Sequence, residues 1–223
     1  VVLMGWASCS HSGTGHAALP DPRAVDKSVP EYKNPFHPST YAHFVARKDY
    51  RKTYDVYKDD TLLNRQPKKS RKIFVCLDEQ RGQYLVDGLV AMDFPLSSGV
   101  KAYPTKTGDY AVISKKEDHT SNLYGKMYDA EGKCINYNAE STDPIPEGGR
   151  FDGSPMPYWQ RLTNAGLGLH VGKVRRHPVS HGCVRLPRNV AEILYRQTSI
   201  GTPVTIRKTP LPVPEAQKVP AVQ

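Results

Sequence analysis

Nowhere in this chain do apolar residues run for the ~20 positions that a membrane-spanning helix requires. No segment therefore reads as a transmembrane helix. Cysteine is scarce, with four among 223 residues (Cys9, Cys76, Cys134 and Cys183), and a chain of that length buries enough core to fold without cross-links. There is no Cys-x-x-Cys pair to suggest structural zinc. The Cys-x5-Arg spacing of a thiol phosphatase is missing too, because Arg185 follows Cys183 by two. Acidic residues are in deficit: 22 Asp and Glu face 31 Lys and Arg, leaving a formal charge of +9. Such a surface favours polyanions, whether nucleic acid, an anionic membrane or an acidic wall polymer, and charge alone does not choose. Much of the excess lies between positions 47 and 72, where ten Lys or Arg meet four Asp. A solvated linker and helix face is the simplest reading of that stretch.

What the chain does have is one dense constellation, Ser180-His181-Gly182-Cys183-Val184-Arg185-Leu186, with His170 thirteen positions before the cysteine. A thiol of ordinary pKa, near ~8.5, needs a neighbouring base or cation to react as a thiolate at neutral pH. Two imidazoles and a guanidinium stand close in sequence, so Cys183 is the candidate nucleophile. A helix is expected from about Pro187 to Arg196, with proline in the first turn, where its missing N–H costs nothing. Cys183 lies four residues ahead of it, too far for the helix dipole to be its main activator. His170 and the nearby arginines are better placed. Lys173, Arg175, Arg176, Arg185 and Arg188 suit a substrate that presents carboxylates, and an electropositive site would lower the thiol pKa. Two other readings use the same residues: a zinc site built from His170, His177, His181 and Cys183, and a binding module that needs no chemistry.

Along the chain, positions 10 to 38 are rich in Ser, Gly, Pro and His and read as a disordered tether. Tyr41, Phe44, Val45, Tyr50, Tyr54 and Tyr57 then recur at near-helical spacing and predict an amphipathic helix from Ser39 to about Lys58. Its tyrosine stripe is expected to pack on the domain rather than to stack nucleic acid bases. Ile73 to Leu77 and Tyr84 to Val86 read as strands, and Asp87-Gly88 as a tight hairpin turn into Leu89 to Met92. Further strands are expected at Tyr110 to Ile113, at a hairpin turning on Glu131-Gly132, at Gly166 to Val171 and at Pro203 to Ile206. Recurring turns without long helical periods between them point to antiparallel sheet. Residues 138 to 157, with their prolines and glycines, read as a loop that borders the substrate. The tail beyond Lys208 is expected to be disordered. Cys76 and Cys134 fall in predicted strands; an oxidising compartment would let them pair, but buried free thiols are the simpler expectation.

Taken together, residues 72 to 208 resemble the catalytic domain of the L,D-transpeptidases, the bacterial cell-wall enzymes with a cysteine nucleophile. The resemblance rests on a strand, a hairpin and a Ser-x-Gly segment followed by Pro104-Thr105-Lys106-Thr107-Gly108. It continues through Met156-Pro157-Tyr158-Trp159-Gln160-Arg161-Leu162, His170 and the Ser-His-Gly-Cys-Val-Arg-Leu-Pro run. It covers about three-fifths of the chain, and the combination is far more specific than Ser-His-Gly-Cys alone.

The resemblance implies a mostly β fold, a sandwich of mixed strands with one or two short helices. It implies that Cys183 is acylated, that His170 is the general base, and that the Val171 carbonyl orients its ring. The backbone N–H groups of Gly182 and Cys183 would stabilise the tetrahedral oxyanion, Ser180 and His181 would shape the loop, and Arg185 would hold a substrate carboxylate or support that loop. Met156, Tyr158 and Trp159 would line the acyl-donor groove. The partners implied are peptidoglycan stem peptides, a tetrapeptide donor and an amine acceptor, with no cofactor, no metal and no nucleic acid. The setting implied is the cell envelope, in the periplasm or on the extracytoplasmic face. The first nine residues, ending Ala7-Ser8-Cys9, resemble the end of a bacterial lipoprotein signal, which would tether the protein to a membrane through a lipidated Cys9. No basic region precedes the run and Trp6 is atypical of it, so an appended remnant or a plain disordered tail are the alternatives. Residues 39 to 71 form a basic helical extension in this scheme.

Overall fold

A computed structural model describes residues 19–66 and 70–220. The lipoprotein reading of residues 1–9, Cys9 included, and the start of the expected tether lie outside the described residues. From the N-terminus the elements are α1 (Tyr41–Ala46), β1 (Tyr57–Lys58), α2 (Asp60–Asn64), β2 (Arg71–Cys76), β3 (Arg81–Val86), β4 (Leu89–Pro95), β5 (Gly108–Ala111) and β6 (Ser114–Lys116). They continue with β7 (Thr120–Tyr128), β8 (Cys134–Glu140), β9 (Arg150–Pro155), β10 (Trp159–Arg161), β11 (Gly168–Val171), β12 (Val184–Leu186), α3 (Arg188–Gln197) and β13 (Pro203–Arg207).

One sheet orders its strands β1-β4-β3-β2-β13-β5 and a second β12-β11-β10-β6; a third, β8-β7-β9, forms a separate flap. Among the strands of the described residues, β2 with β13 and β11 with β12 pair in parallel and the others antiparallel. Between the first two sheets lies one apolar core. Ile73, Val75, Tyr84, Met92 and Phe94 face Leu169, Val184 and Leu186, and Val190 and Leu194 of α3 close the same cluster. Each such side chain, fully buried, stabilises the fold by roughly 1.5–3 kcal/mol. The fold is therefore the mostly β sandwich of mixed strands that the sequence led us to expect, though with three short α-helices among the described residues rather than one or two.

Local chemistry accounts for the elements that hold the site. Asp87 and Gly88 both have positive φ, 51° and 79°, so the β3–β4 hairpin closes on the mirror-image turn that Asp-Gly favours. α3 begins directly after Pro187, buries Val190, Ala191 and Leu194 along one face, and ends where the Thr198 hydroxyl donates to the Leu194 carbonyl at 2.7 Å.

Three expectations need correction. The N-terminal helix ends at Ala46, because Asp49 starts a turn in which its carbonyl accepts from Lys52 and Thr53 N–H; Tyr50 swings back into the core while Tyr54 stays exposed. The described part of the expected tether, residues 19–38, is packed rather than free. Phe36 is wholly buried and bridges Pro220, and Arg23 donates to Glu79 (2.7 Å) and to the Leu211 carbonyl (2.9 Å). The tail beyond Lys208 is likewise docked, with Val213 buried and the Gln217 amide exchanging two 2.9 Å hydrogen bonds with the Val90 backbone. Sparse but well-placed anchors do this work, and composition averages them away. Residues 138–157 are mostly loop, as expected, although the end of β8 and all of β9 lie there, paired on β7. Cys76 and Cys134 are both free thiols.

The N-terminal arm meets the domain over a buried ion pair. Arg81 and Asp93 are both inaccessible and bonded to each other, and Asp93 also accepts from Tyr41 Oη (2.7 Å), Tyr50 Oη (2.9 Å) and Gln83 Nε2 (3.1 Å). A buried pair survives only when its remaining lone pairs and protons are satisfied in this way.

Candidate active site

Parallel pairing of β11 with β12 assembles the site. His170 is opposite Arg185 in the register, so those two side chains share one face of the sheet, and Cys183 stands just ahead of β12, where the charge of Arg185 reaches both it and His170. His170 is 6 % exposed, and its Nδ1 donates to the Val171 carbonyl at 2.7 Å. A carbonyl can only accept, so Nδ1 carries the proton and Nε2 of the neutral ring keeps a free lone pair. Burial, reinforced by the charge of Arg185 and by His119 and only partly offset by the Val171 bond, pushes the imidazole down to about 4.

Cys183 is half-buried, and its Sγ lies 3.3 Å from the Gly166 carbonyl. Burial pushes the thiol up, outweighing a backbone contact to Gly168 and the charge of Arg185, which both act downward. The expectation that surrounding cations would lower the thiol pKa is thus corrected. The resting pair is neutral thiol and neutral imidazole. Arg185 is half-buried, and among the described residues no carboxylate pairs with it, so its guanidinium is available to an anion.

The turn before Cys183 is held from several sides. Gly182 has φ +108°, which a side chain would strain, and its carbonyl accepts from Thr105 Oγ1 at 2.6 Å while that oxygen accepts from Gly99 N–H at 2.8 Å. Ser180 is buried, and its hydroxyl donates to the Cys183 carbonyl (2.5 Å) and accepts from Gly182 N–H (3.2 Å). One of the two expected oxyanion donors is therefore already engaged, by a long bond. His181 is exposed yet clasped: its ring stacks on Tyr124 of β7 at 4.5 Å and lies 4.7 Å from Tyr103. This contact joins the flap to the turn before Cys183.

Trp159 is only 3 % exposed, wedged between His119 and His170 at 5.0 and 5.9 Å, with its indole N–H buried and unpartnered. Gly168 makes room for it, since a Cβ there would come within 2.5 Å of the indole ring. Trp159 thus backs the histidine rather than lining an open groove. Tyr158 adopts φ +55° and packs on Tyr195 of α3, while half-buried Met156 anchors the flap through its N–H to the His119 carbonyl. The structure brings together Cys183, His170, Val171, Arg185, Ser180, Gly182 and His181; Tyr158 turns to α3. Sequence reasoning missed Tyr103, Tyr124 and His119, whose roles arise from flap packing, and undervalued Thr105, present in the Pro-Thr-x-Thr-Gly run. His177 and His181 stand four apart, but His177 Nδ1 is bonded to the Arg175 carbonyl, and among the described residues no group of three or more His, Cys, Asp or Glu side chains is placed to hold a metal.

A β-sandwich with a buried histidine on one strand and a cysteine just ahead of the parallel strand beside it defines a class of candidate cysteine acyltransferases. Residues 70–206 match the family model of the YkuD L,D-transpeptidase catalytic domain, well over half of the chain, and the chain belongs to that family. A similar curated protein is the probable L,D-transpeptidase 3 of Mycobacterium tuberculosis, 31 % identical over 121 residues; the match takes in 51 % of this chain and 38 % of that protein. The chain thus spans well under half of that relative. Among solved structures, an L,D-transpeptidase from Mycobacterium smegmatis is similar at 22 % identity and a TM-score of 0.47, covering 62 % of this chain and 58 % of the other. One from Stackebrandtia nassauensis matches at 22 % and 0.46, covering 74 % and 65 %.

Proposed function

We propose that this protein is an L,D-transpeptidase that acylates Cys183 with a peptidoglycan stem peptide and passes the acyl group to an amine. The observation that carries this reading is the junction of β11 and β12, where His170, its Nδ1 proton pinned by Val171, and Cys183 both feel the charge of Arg185, within the residues that match the family. Because both groups are neutral at rest, proton transfer from Sγ to His170 Nε2 accompanies attack rather than preceding it. Sγ attacks the carbonyl that follows the L-centre of an L–D peptide bond. The oxygen's developing charge draws on Cys183 N–H and on Gly182 N–H, whose 3.2 Å bond to Ser180 is weaker than a charge-assisted one. His170 then returns its proton to the departing amine of the D-residue, leaving a thioester. An acceptor amine attacks next, the C–S bond breaks, and the amine's proton reaches the thiolate through His170. Arg185, with no carboxylate of its own, meets a substrate carboxylate.

An envelope setting, periplasmic or on the outer side of a cytoplasmic membrane, follows from such a substrate. Tethering through a lipidated Cys9 is part of the same proposal. The test incubates the full chain with tetrapeptide muropeptides and reads products and intact protein by mass spectrometry, beside Cys183→Ala. An acyl adduct on Cys183 and an amide product are expected from the wild type alone. Release of the D-residue with the acyl group passed only to water would make the protein an L,D-carboxypeptidase. Wall binding that survives Cys183→Ala, with no adduct in the wild type, would make it a binding module.

A further inference from the structure

The segment between β11 and β12 carries Lys173, Arg175, Arg176 and His177 between the two reactive residues. Lys173, Arg175 and His177 are exposed, whereas Arg176 is half-buried and points elsewhere. Its guanidinium donates to the carbonyls of Thr53 (2.8 Å), Arg51 (2.5 Å) and Glu79 (3.0 Å). Arg176 also has φ +59°, a region that residues other than glycine seldom occupy, so these contacts hold the backbone against its own preference. The Thr53 carbonyl receives a second arginine, Arg81 (3.2 Å), which also donates to the Asp55 carbonyl (2.9 Å). Residues 51–55 lie outside the stretch that matches the family, yet they are fastened to the domain by the buried ion pair on one side and by the active-site loop on the other. The loop's other fastenings run to the Ser97-Ser98 strand end, through Arg175 N–H to Ser97 Oγ (2.8 Å) and Val179 N–H to the Ser98 carbonyl (2.8 Å).

We infer that the N-terminal arm, residues 19–58, is a positioning element for the loop 172–179, that Arg176 is the residue through which it acts, and that the loop so placed receives the acyl acceptor. The last part rests on the transpeptidase reading. Arg185, unpaired and with its charge reaching the thiol, already offers a cation to the donor. Lys173 and Arg175 are a second set, exposed and without an ion-pair partner among the described residues, at the rim where a second carboxylate-bearing stem must enter once the D-residue has left. Arg176 itself touches neither stem. It is a positioning residue, and the arm behind it is an addition to the family domain that tunes the second half-reaction.

Hydrogen exchange and product analysis on the full chain test this with Arg176→Ala, Arg176→Lys and Thr53→Pro. The last removes the Thr53 N–H bond to the Asp49 carbonyl and so disturbs the dock from the arm's side. In Arg176→Ala, amide exchange in 49–55 and 172–179 should accelerate together by about tenfold or more while β2–β4 stay protected. Acylation of Cys183 by the tetrapeptide should stay within about threefold of wild type while KM for the amine acceptor rises about tenfold and hydrolysis gains share. Lysine, which keeps the charge but cannot span three carbonyls, should fall between, and Thr53→Pro should reproduce the alanine pattern. Unchanged exchange in 49–55 would overturn the docking. Equal losses in acylation and transfer would overturn the acceptor assignment. If even the wild type forms no Cys183 adduct, the transpeptidase reading fails, and the exchange data still decide whether the arm is docked through Arg176.

Discussion

His170 should make this protein acid-sensitive by an amount that can be worked out in advance. In the unfolded chain an imidazole titrates near its ordinary 6.5, whereas in the fold burial against Trp159 holds it down at about 4. Between those values the unfolded state binds the proton more readily, so stability is complete above pH 6.5 and is lost as pH falls towards 4. At 1.36 kcal/mol per pH unit the full loss is roughly 3 kcal/mol, of which about 2.5 kcal/mol is reached by pH 4.5. Against a total stability of about 5–15 kcal/mol, that is a substantial share. Urea unfolding of the wild type and of His170→Asn at pH 7.5 and pH 4.5 isolates it, because every other titration is common to both proteins. Wild type should lose about 2–3 kcal/mol more than the variant on acidification. Parallel losses would mean that His170 is not buried as a neutral ring, and the description of its imidazole as uncharged at rest would go with it.

The neutral resting pair also makes a kinetic prediction. Alkylation of Cys183 by iodoacetamide should rise about tenfold per pH unit from 6 to 8, as for an unactivated thiol, whereas a flat profile would reveal a preformed thiolate–imidazolium pair. Asp93→Asn leaves Arg81 buried without its counter-charge and should cost about 3–5 kcal/mol in thermal or urea unfolding; a loss under about 1 kcal/mol would show the pair to be solvated. Gly168→Ala places a methyl within 2.5 Å of the Trp159 ring and 2.6 Å of the Gln160 carbonyl. It should cost about 1–3 kcal/mol and shift the tryptophan fluorescence, and an unperturbed melting temperature would contradict the packing described.

The parts of the fold that are local in sequence were legible in it. Short apolar runs marked β2 to β4, Asp87-Gly88 marked a turn between them, and Pro187 marked the start of α3, because each depends on backbone preferences a few residues long. The flap was harder. β9 contains Arg150, Asp152, Gly153 and Ser154, has little apolar signal, and exists as a strand because β7 offers it hydrogen bonds. The two arms were harder still, since a single buried Phe36, Arg23 or Gln217 outweighs a composition that otherwise reads as tether and tail.

What the sequence determined by itself was the chemistry on offer: a cysteine and a histidine thirteen residues apart, the Ser-His-Gly-Cys-Val-Arg-Leu turn, and with them the family. Those are properties of covalent order and side-chain type. What only the tertiary structure decided was the electrostatic state of that chemistry and its surroundings. Whether cations or burial would dominate at Cys183 depends on how much water remains beside it, and the answer was burial. That Arg176 turns away from the site to grip residues 51–55, more than a hundred positions earlier, depends on which carbonyls the folded arm leaves within its reach.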